Sequence, residues 1–194
     1  MGRVSDEIDH KLRAFIEEQQ LFFVGTAPLD AAGHVNLSPK GLDTLRILGP
    51  REVAYLDYVG SGAETIGHLK ENGRIVVMLC ALYGAPKIVR LHGRGEVLEP
   101  GGAEYRRLRP LFPVHPAGRA IILITVHRIS ESCGFGVPVH HFDRQRSELV
   151  DWADGKGGDG LRRYQLTRNA ASIDGLAAVT WLQPPDSFDE PSAD

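Results

Sequence analysis

Four short stretches hold residue types that can bind an anion or handle a redox group. In Ser38-Pro39-Lys40-Gly41, a lysine follows a strand-like run in a tight turn that can aim its side chain into a cleft, with the Ser38 hydroxyl nearby. Gly60-Ser61-Gly62-Ala63-Glu64-Thr65 precedes a helical stretch and can offer free backbone N–H groups at the helix start. Ser61 and Thr65 add hydroxyls there, and His68 follows one turn on. Glu64 would repel an anion, so it suits a hydroxyl contact or a helix cap. Arg90 lies among apolar residues of a strand-like run, where a charge needs a partner. It fits either a bound anion or an ion pair to Asp57 or Glu96. Cys133-Gly134-Phe135-Gly136 is a tight turn offering a thiol and an aromatic ring. A lone cysteine is more often structural than redox-active. Lys40 as a surface lysine and 60–68 as a plain capped helix are the competing readings.

Other chemistries lack their patterns. His140-His141 would point to opposite faces of a strand, and His115 and His127 have no ligand partner at useful spacing, so no metal site is expected. Gly93-Arg94-Gly95 is only the beginning of a dinucleotide fingerprint and lacks its strand-turn-helix setting. No Ser-His-Asp order or nucleophile elbow is present. No catalytic acid or base is demanded by the sequence.

The elements that would carry these stretches are mostly strands. Ser5 to Gln20 reads as a first helix, with Ser5 as its cap. Strand candidates follow at Leu21–Ala27, His34–Ser38, Thr44–Leu48 and Glu52–Tyr58, the last two joined by Gly49-Pro50-Arg51. A helix at Ala63–Glu71 is closed by Asn72-Gly73. Strands at Arg74–Ala81 and Lys87–Leu98 come next, the second with a bend expected at Gly93 and Gly95. Gly102–Leu111 reads as a helix. Arg119–Ile129, with its β-branched run, is the clearest strand. Beyond Pro138, short helices at Ser147–Ala153 and Gly160–Asn169 flank a glycine cluster, with Trp152 and Trp181 as packing anchors. This many short strands favour an antiparallel barrel or sandwich over a Rossmann fold.

Three ordered segments, Val35–Gly41, Tyr55–Arg74 and Ile88–Gly95, resemble the pyridoxamine 5′-phosphate oxidase-like FMN-binding proteins. The resemblance covers about Leu21 to Val137 and is nearest to a broad bacterial branch of flavoproteins. That branch often carries a Cys-Gly-aromatic-Gly-Val-Pro segment, here Cys133–Pro138, and a late Ser-Ile-Asp-Gly-Leu, here Ser172–Leu176. The chain departs from the vitamin B6 oxidases in three places. Glu64 and Thr65 stand where an Arg-Lys pair would grip the FMN phosphate, Val35 replaces an arginine, and Ile88 replaces a glutamine.

The resemblance implies a mainly β (α+β) fold: a six-stranded antiparallel split β-barrel with peripheral helices and a C-terminal helical extension. Together with the change of texture after Pro138, it divides the chain into an FMN-binding domain with its N-terminal helix at 1–138 and a helical extension packed on it at 139–182, while the Pro- and acid-rich composition of 183–194 reads as a disordered tail. It implies a homodimer with one FMN in each of two clefts between subunits. The residues so implied around the cofactor are Ser38, Lys40, Gly60, Ser61, Glu64, Thr65, His68, Arg90, Cys133 and Phe135. The expected activity is flavin-dependent oxidation or reduction of a small molecule by hydride transfer. A flavin-binding or sensing module without turnover is the alternative, as is a split barrel holding haem or the deazaflavin F420.

Composition bounds the rest. The 194 residues carry a net charge of −3, with 42% hydrophobic and 24% charged residues, which suits a folded soluble chain. No basic patch interleaved with aromatics favours nucleic acid, and the acidic balance argues against an anionic membrane surface. With two cysteines, no signal-like N-terminus and no long apolar run, the expected compartment is the cytoplasm.

Overall fold

A computed structural model describes residues 2–182. A short strand β1 (Arg3–Ser5) precedes helix α1 (His10–Glu18), then β2 (Phe22–Thr26), β3 (Asn36–Lys40), β4 (Leu45–Gly49) and β5 (Glu52–Tyr58). Helix α2 (Glu64–Asn72) leads to β6 (Arg74–Cys80) and β7 (Ile88–Leu98). Helix α3 (Ala103–Leu108), the long β8 (Gly118–Ser132) and helix α4 (Glu148–Arg168) complete the order. Every ladder is antiparallel, in the order β3-β2-β6-β7-β8-β5-β4, with β1 added alongside β8.

The alternation of each strand decides what faces inward. Val24 of β2, Val53 and Tyr55 of β5, Val77 and Leu79 of β6, Val89 and Leu91 of β7, and Ile122 and Ile124 of β8 are fully buried in one core. Their odd-numbered or even-numbered neighbours look outward or into smaller clusters. Ala54, Leu56 and Ile121 form one such cluster with Leu108 and Phe112 from the α3 region. At His92/Gly93 the β7–β8 register slips by one residue. A Cβ at Gly93 would run into the Thr125 carbonyl, so the expected bend is a bulge that only glycine fits.

The two end strands, β3 and β4, are not hydrogen-bonded to each other, and this leaves the barrel split. The Leu56 N–H bond to the Thr44 carbonyl at 2.9 Å only extends the β4–β5 ladder. The gap itself is crossed by side chains, described below.

Four expectations are corrected. The first helix does not begin at Ser5. Arg3–Ser5 pairs with β8, Ile8 N–H bonds to the Pro50 carbonyl, and Asp9 caps α1 through a 2.8 Å bond from Leu12 N–H. The helix expected to run to Leu111 closes at Leu108 into a 3-10 turn, Arg109–Leu111, because Pro110 has no N–H to continue it. Eight strands are present among the described residues rather than six, β1 being a short addition. The two C-terminal helices form one run, α4, broken at Gly157 (φ 63°). The expected tail at 183–194 lies outside the described residues.

Candidate functional site

A polar cluster lies at one end of the barrel interior, where β3, β5, the start of β8 and α2 meet. Its centre is Asp57, fully buried on the inward face of β5 in line with Val53 and Tyr55. Lys40, the last residue of β3, reaches across the split and donates to Asp57 Oδ1 at 2.9 Å. Arg119, at the start of β8, donates to Asp57 Oδ2 from Nε at 2.8 Å and lies 2.7 Å away through its terminal nitrogen. The pairing of Asp57 with Ala120 in the β5–β8 ladder places Arg119 at that spot. Burial pushes the Asp57 carboxyl upward, but the charges of Arg119 and Lys40 and the bonds they donate outweigh it. They hold its pKa below the ordinary aspartate value.

The triad is therefore ionised and carries one net positive charge. The Arg119 side chain is 4% exposed and that of Lys40 is 21% exposed, so the surplus charge opens toward solvent through Lys40. Arg119 also donates to the Gly62 carbonyl at 3.0 Å, which ties the loop before α2 to the triad.

That loop ends at Ala63, which supplies no side-chain cap to α2. The first-turn N–H groups of the helix are thus unclaimed by a capping side chain, and the helix dipole leaves partial positive charge there. The Glu64 carboxylate curls back over the loop, and a Cβ at Gly62 would collide with it. Asn36 on β3 links the helix to the strands by donating to Thr65 Oγ1 at 3.0 Å and to Thr26 Oγ1 at 3.1 Å. Ser38 donates to Asn36 Oδ1 at 2.9 Å.

Thr26 shares a 2.9 Å hydrogen bond with His68 Nδ1. Burial lowers the His68 pKa, so the ring is neutral at pH 7. Burial, reinforced by the Asp57 charge, pushes the Tyr55 phenol well above its usual range. Among the described residues, His68 Nε2 and Asn169 Oδ1 are buried around α2 without a hydrogen-bond partner, and Tyr55 OH has the Thr65 hydroxyl beside it but no bond of good geometry.

On the outer side, Thr26 and Asn36 also line a hollow of about 460 Å³ together with Gly25, Val35, Leu37, Val76 and His92. Its surface is mainly apolar, and Val35 and Leu37 are exposed.

Of the ten residues singled out from the sequence, Ser38, Lys40, Gly60, Ser61, Glu64, Thr65 and His68 fall in or beside this cluster. Arg90 does not. Val89 and Leu91 fill the core, whereas Arg90 points the other way and donates to Ser132 Oγ at 3.1 Å, not to Asp57 or Glu96. Cys133 and Phe135 are exposed, and Phe135 sits with Tyr83, Pro86 and Val137 around a separate hollow. Sequence reasoning missed Arg119, Asn36, Thr26, Tyr55 and Asn169. An arginine heading the most apolar strand was the signal for Arg119, since a charge there needs a buried counter-charge.

An antiparallel barrel split along one edge, with a cationic cluster at the mouth of the split, defines the split-barrel class. The family profile described as pyridoxamine 5′-phosphate oxidase matches residues 8–133. A pyridoxamine 5′-phosphate oxidase family protein, ustO, from Aspergillus flavus is 36% identical over 191 residues, covering 90% of this chain and 76% of the relative. The chain belongs to the pyridoxamine 5′-phosphate oxidase family. Among solved structures, a HupZ variant from Group A Streptococcus is similar in fold (TM-score 0.50, 22% identity, 64% of this chain and 99% of that one). An FAD-binding protein from Mesorhizobium loti gives a TM-score of 0.47 at 14% identity, over 68% of this chain and 96% of that one. No helix among the described residues is long and apolar enough to cross a membrane.

Proposed function

We propose that this chain binds FMN and works as a flavin-dependent oxidoreductase on a small molecule, as a homodimer with each cofactor site closed by the partner subunit. The observation that carries this is the buried Asp57 holding Arg119 and Lys40 beside the uncapped start of α2. This arrangement gives a fixed positive field and free N–H groups in one place, which suits a phosphate. The fit extends to the rest of the cofactor. Buried polar atoms left without partners, such as His68 Nε2, are ones that a ligand or an ordered water satisfies. The adjoining apolar hollow lies within the ~300–1,000 Å³ span of ligand pockets and offers Val35, Leu37 and Val76 to a ring face.

In this reading Lys40 and the loop 60–62 hold the phosphate, and Arg119 fixes that loop through the Gly62 carbonyl. Asn36, Ser38 and Thr65 offer hydroxyl and amide groups to the polyol. When bound, FMN supplies reversible hydride acceptance at its ring, and the protein's part is positioning and tuning. Val35, Leu37 and the edge of β3 form an apolar, unpaired margin that a second subunit would cover. Fluorescence titration tests the reading. FMN should bind at one per chain and at least about tenfold tighter than riboflavin, since each charge-assisted phosphate contact contributes roughly 1.5–3 kcal/mol. A protein that takes up neither flavin, or that sediments as a monomer with flavin bound, refutes it. Stopped-flow mixing of the loaded protein with NADH or NADPH then separates turnover from storage, by whether the flavin bleaches.

A further inference from the structure

Residues 169–179 follow α4, lie beyond the matched family region, and fold back over the site. Asn169, fully buried, donates from Nδ2 to the Gly60 carbonyl at 3.0 Å. A narrow hairpin continues from it. Ser172 N–H bonds to the Leu176 carbonyl at 2.8 Å, Ala178 N–H to Ala170 at 2.8 Å, and Val179 N–H to Asn169 at 2.9 Å. The hairpin turns at Gly175 (φ 80°). Leu176 and Ser172 press on α2 so closely that a Cβ at Gly67 would meet them at 3.2–3.4 Å. At the hairpin tip, Asp174 accepts from the His34 backbone N–H at 2.8 Å and pairs with His34 Nδ1 at 2.6 Å. The segment is thus fastened to the loop before α2 at one end and to the approach of β3 at the other.

We infer that 169–179 is a strap that sets the shape of the anion-receiving loop, with Asn169 as its positioning residue. The inference rests on the phosphate reading above. The Gly60 carbonyl belongs to the loop whose next two residues lead to the Arg119 contact and the α2 start. Asn169 and Arg119 hold that loop from opposite ends, through Gly60 and Gly62. No described side chain bonds to the exposed Ser61 between them. Releasing Asn169 leaves the loop held at Gly62 and, just before it, by the Val59 N–H bond to the Ala117 carbonyl at 2.8 Å, so the Gly60–Ser61 stretch between them and the N–H groups after it lose their fixed direction while the apolar hollow keeps its walls.

The test uses Asn169→Ala and the nearly isosteric, uncharged Asn169→Leu, which removes the donor while keeping the shape. In the flavin-free protein, amide exchange in peptides covering 59–66 should speed up by about tenfold or more in both variants, with β6 to β8 unchanged. FMN should bind about tenfold more weakly, the effect of one lost hydrogen bond on loop order, while riboflavin changes by no more than about twofold. Unchanged exchange at 59–66 overturns the strap. So does equal weakening of FMN and riboflavin, which marks a merely structural role. If the wild type binds neither flavin, the phosphate reading falls, and the exchange result alone decides whether the strap holds the loop. If the Asn169 variants do not fold, Asp174→Ala, at the hairpin tip, carries the same two readouts with the same expected directions.

Discussion

Replacing Asp57 with asparagine should cost far more stability than removing either of its partners' full charge would suggest from the surface. Both carboxylate oxygens are in use, Oδ1 by Lys40 and Oδ2 by Arg119. An amide keeps one acceptor and turns an NH₂ toward donors that have nowhere to go. Arg119, at 4% exposure, cannot reach water, so its guanidinium is left as an uncompensated buried charge. Breaking a buried pair in this way costs about 3–5 kcal/mol. For a domain of this size that is a fall of about 6–20 °C in Tm. Lys40→Met is the control, because Lys40 is partly exposed and Asp57 keeps Arg119; its cost should stay near 1 kcal/mol. Urea unfolding of the flavin-free proteins at one fixed concentration measures both, so that ligand and dimer linkage do not enter. The Asp57 carboxyl titrates lower in the fold than in the unfolded chain. Its contribution is therefore complete above about pH 4 and is lost as pH falls through the folded value. Asp57→Asn should be less acid-sensitive than the wild type below that point. A loss under about 1 kcal/mol for Asp57→Asn would show that solvent reaches Arg119 and that the triad is not the buried unit described here.

Glu64→Gln removes a like charge from the loop proposed to receive the phosphate, and isothermal titration should show FMN binding roughly threefold to tenfold tighter with riboflavin unaffected. Gly67→Ala gains up to about 1 kcal/mol of helix propensity but drives a methyl against the Leu176 carbonyl and Cβ, so a net loss of about 1–2 kcal/mol is expected by urea unfolding.

The strands were legible because their inward residues form unbroken β-branched alternation. Arg119–Ile129 announced β8, and the glycine pair in 93–95 announced the β7 bulge. The three-residue β1 carried too little pattern to compete with the helix-like spacing of Ile8, Leu12, Phe15 and Ile16. Its pairing depends on how far β8 extends past Ile129. Within the candidate site, the stretches that sequence could single out are those whose chemistry is contiguous. Ser38-Pro39-Lys40 and Gly60–His68 each bring their own geometry, one a strand end and the other a helix start.

What escaped notice was non-local. Asp57 lies 62 positions from Arg119 and 17 from Lys40 in sequence, and nothing in either neighbourhood names the other. Only the antiparallel register of β5 on β8 and the split between β3 and β4 bring the three together. The alternation of β5 did contain half of the answer. If Val53 and Tyr55 point inward then so must Asp57, and an inward carboxylate requires a cation. The same logic misled at Arg90, whose apolar neighbours Val89 and Leu91 point inward while it points out. A charge between apolar residues on a strand lies on the face opposite to theirs, whereas a charge two positions from them shares it. Applied consistently, that parity rule places Asp57 in the core and Arg90 outside it. It also turns Lys40 from an isolated lysine at a strand end into one arm of a triad, its position set by the Asp57 carboxylate.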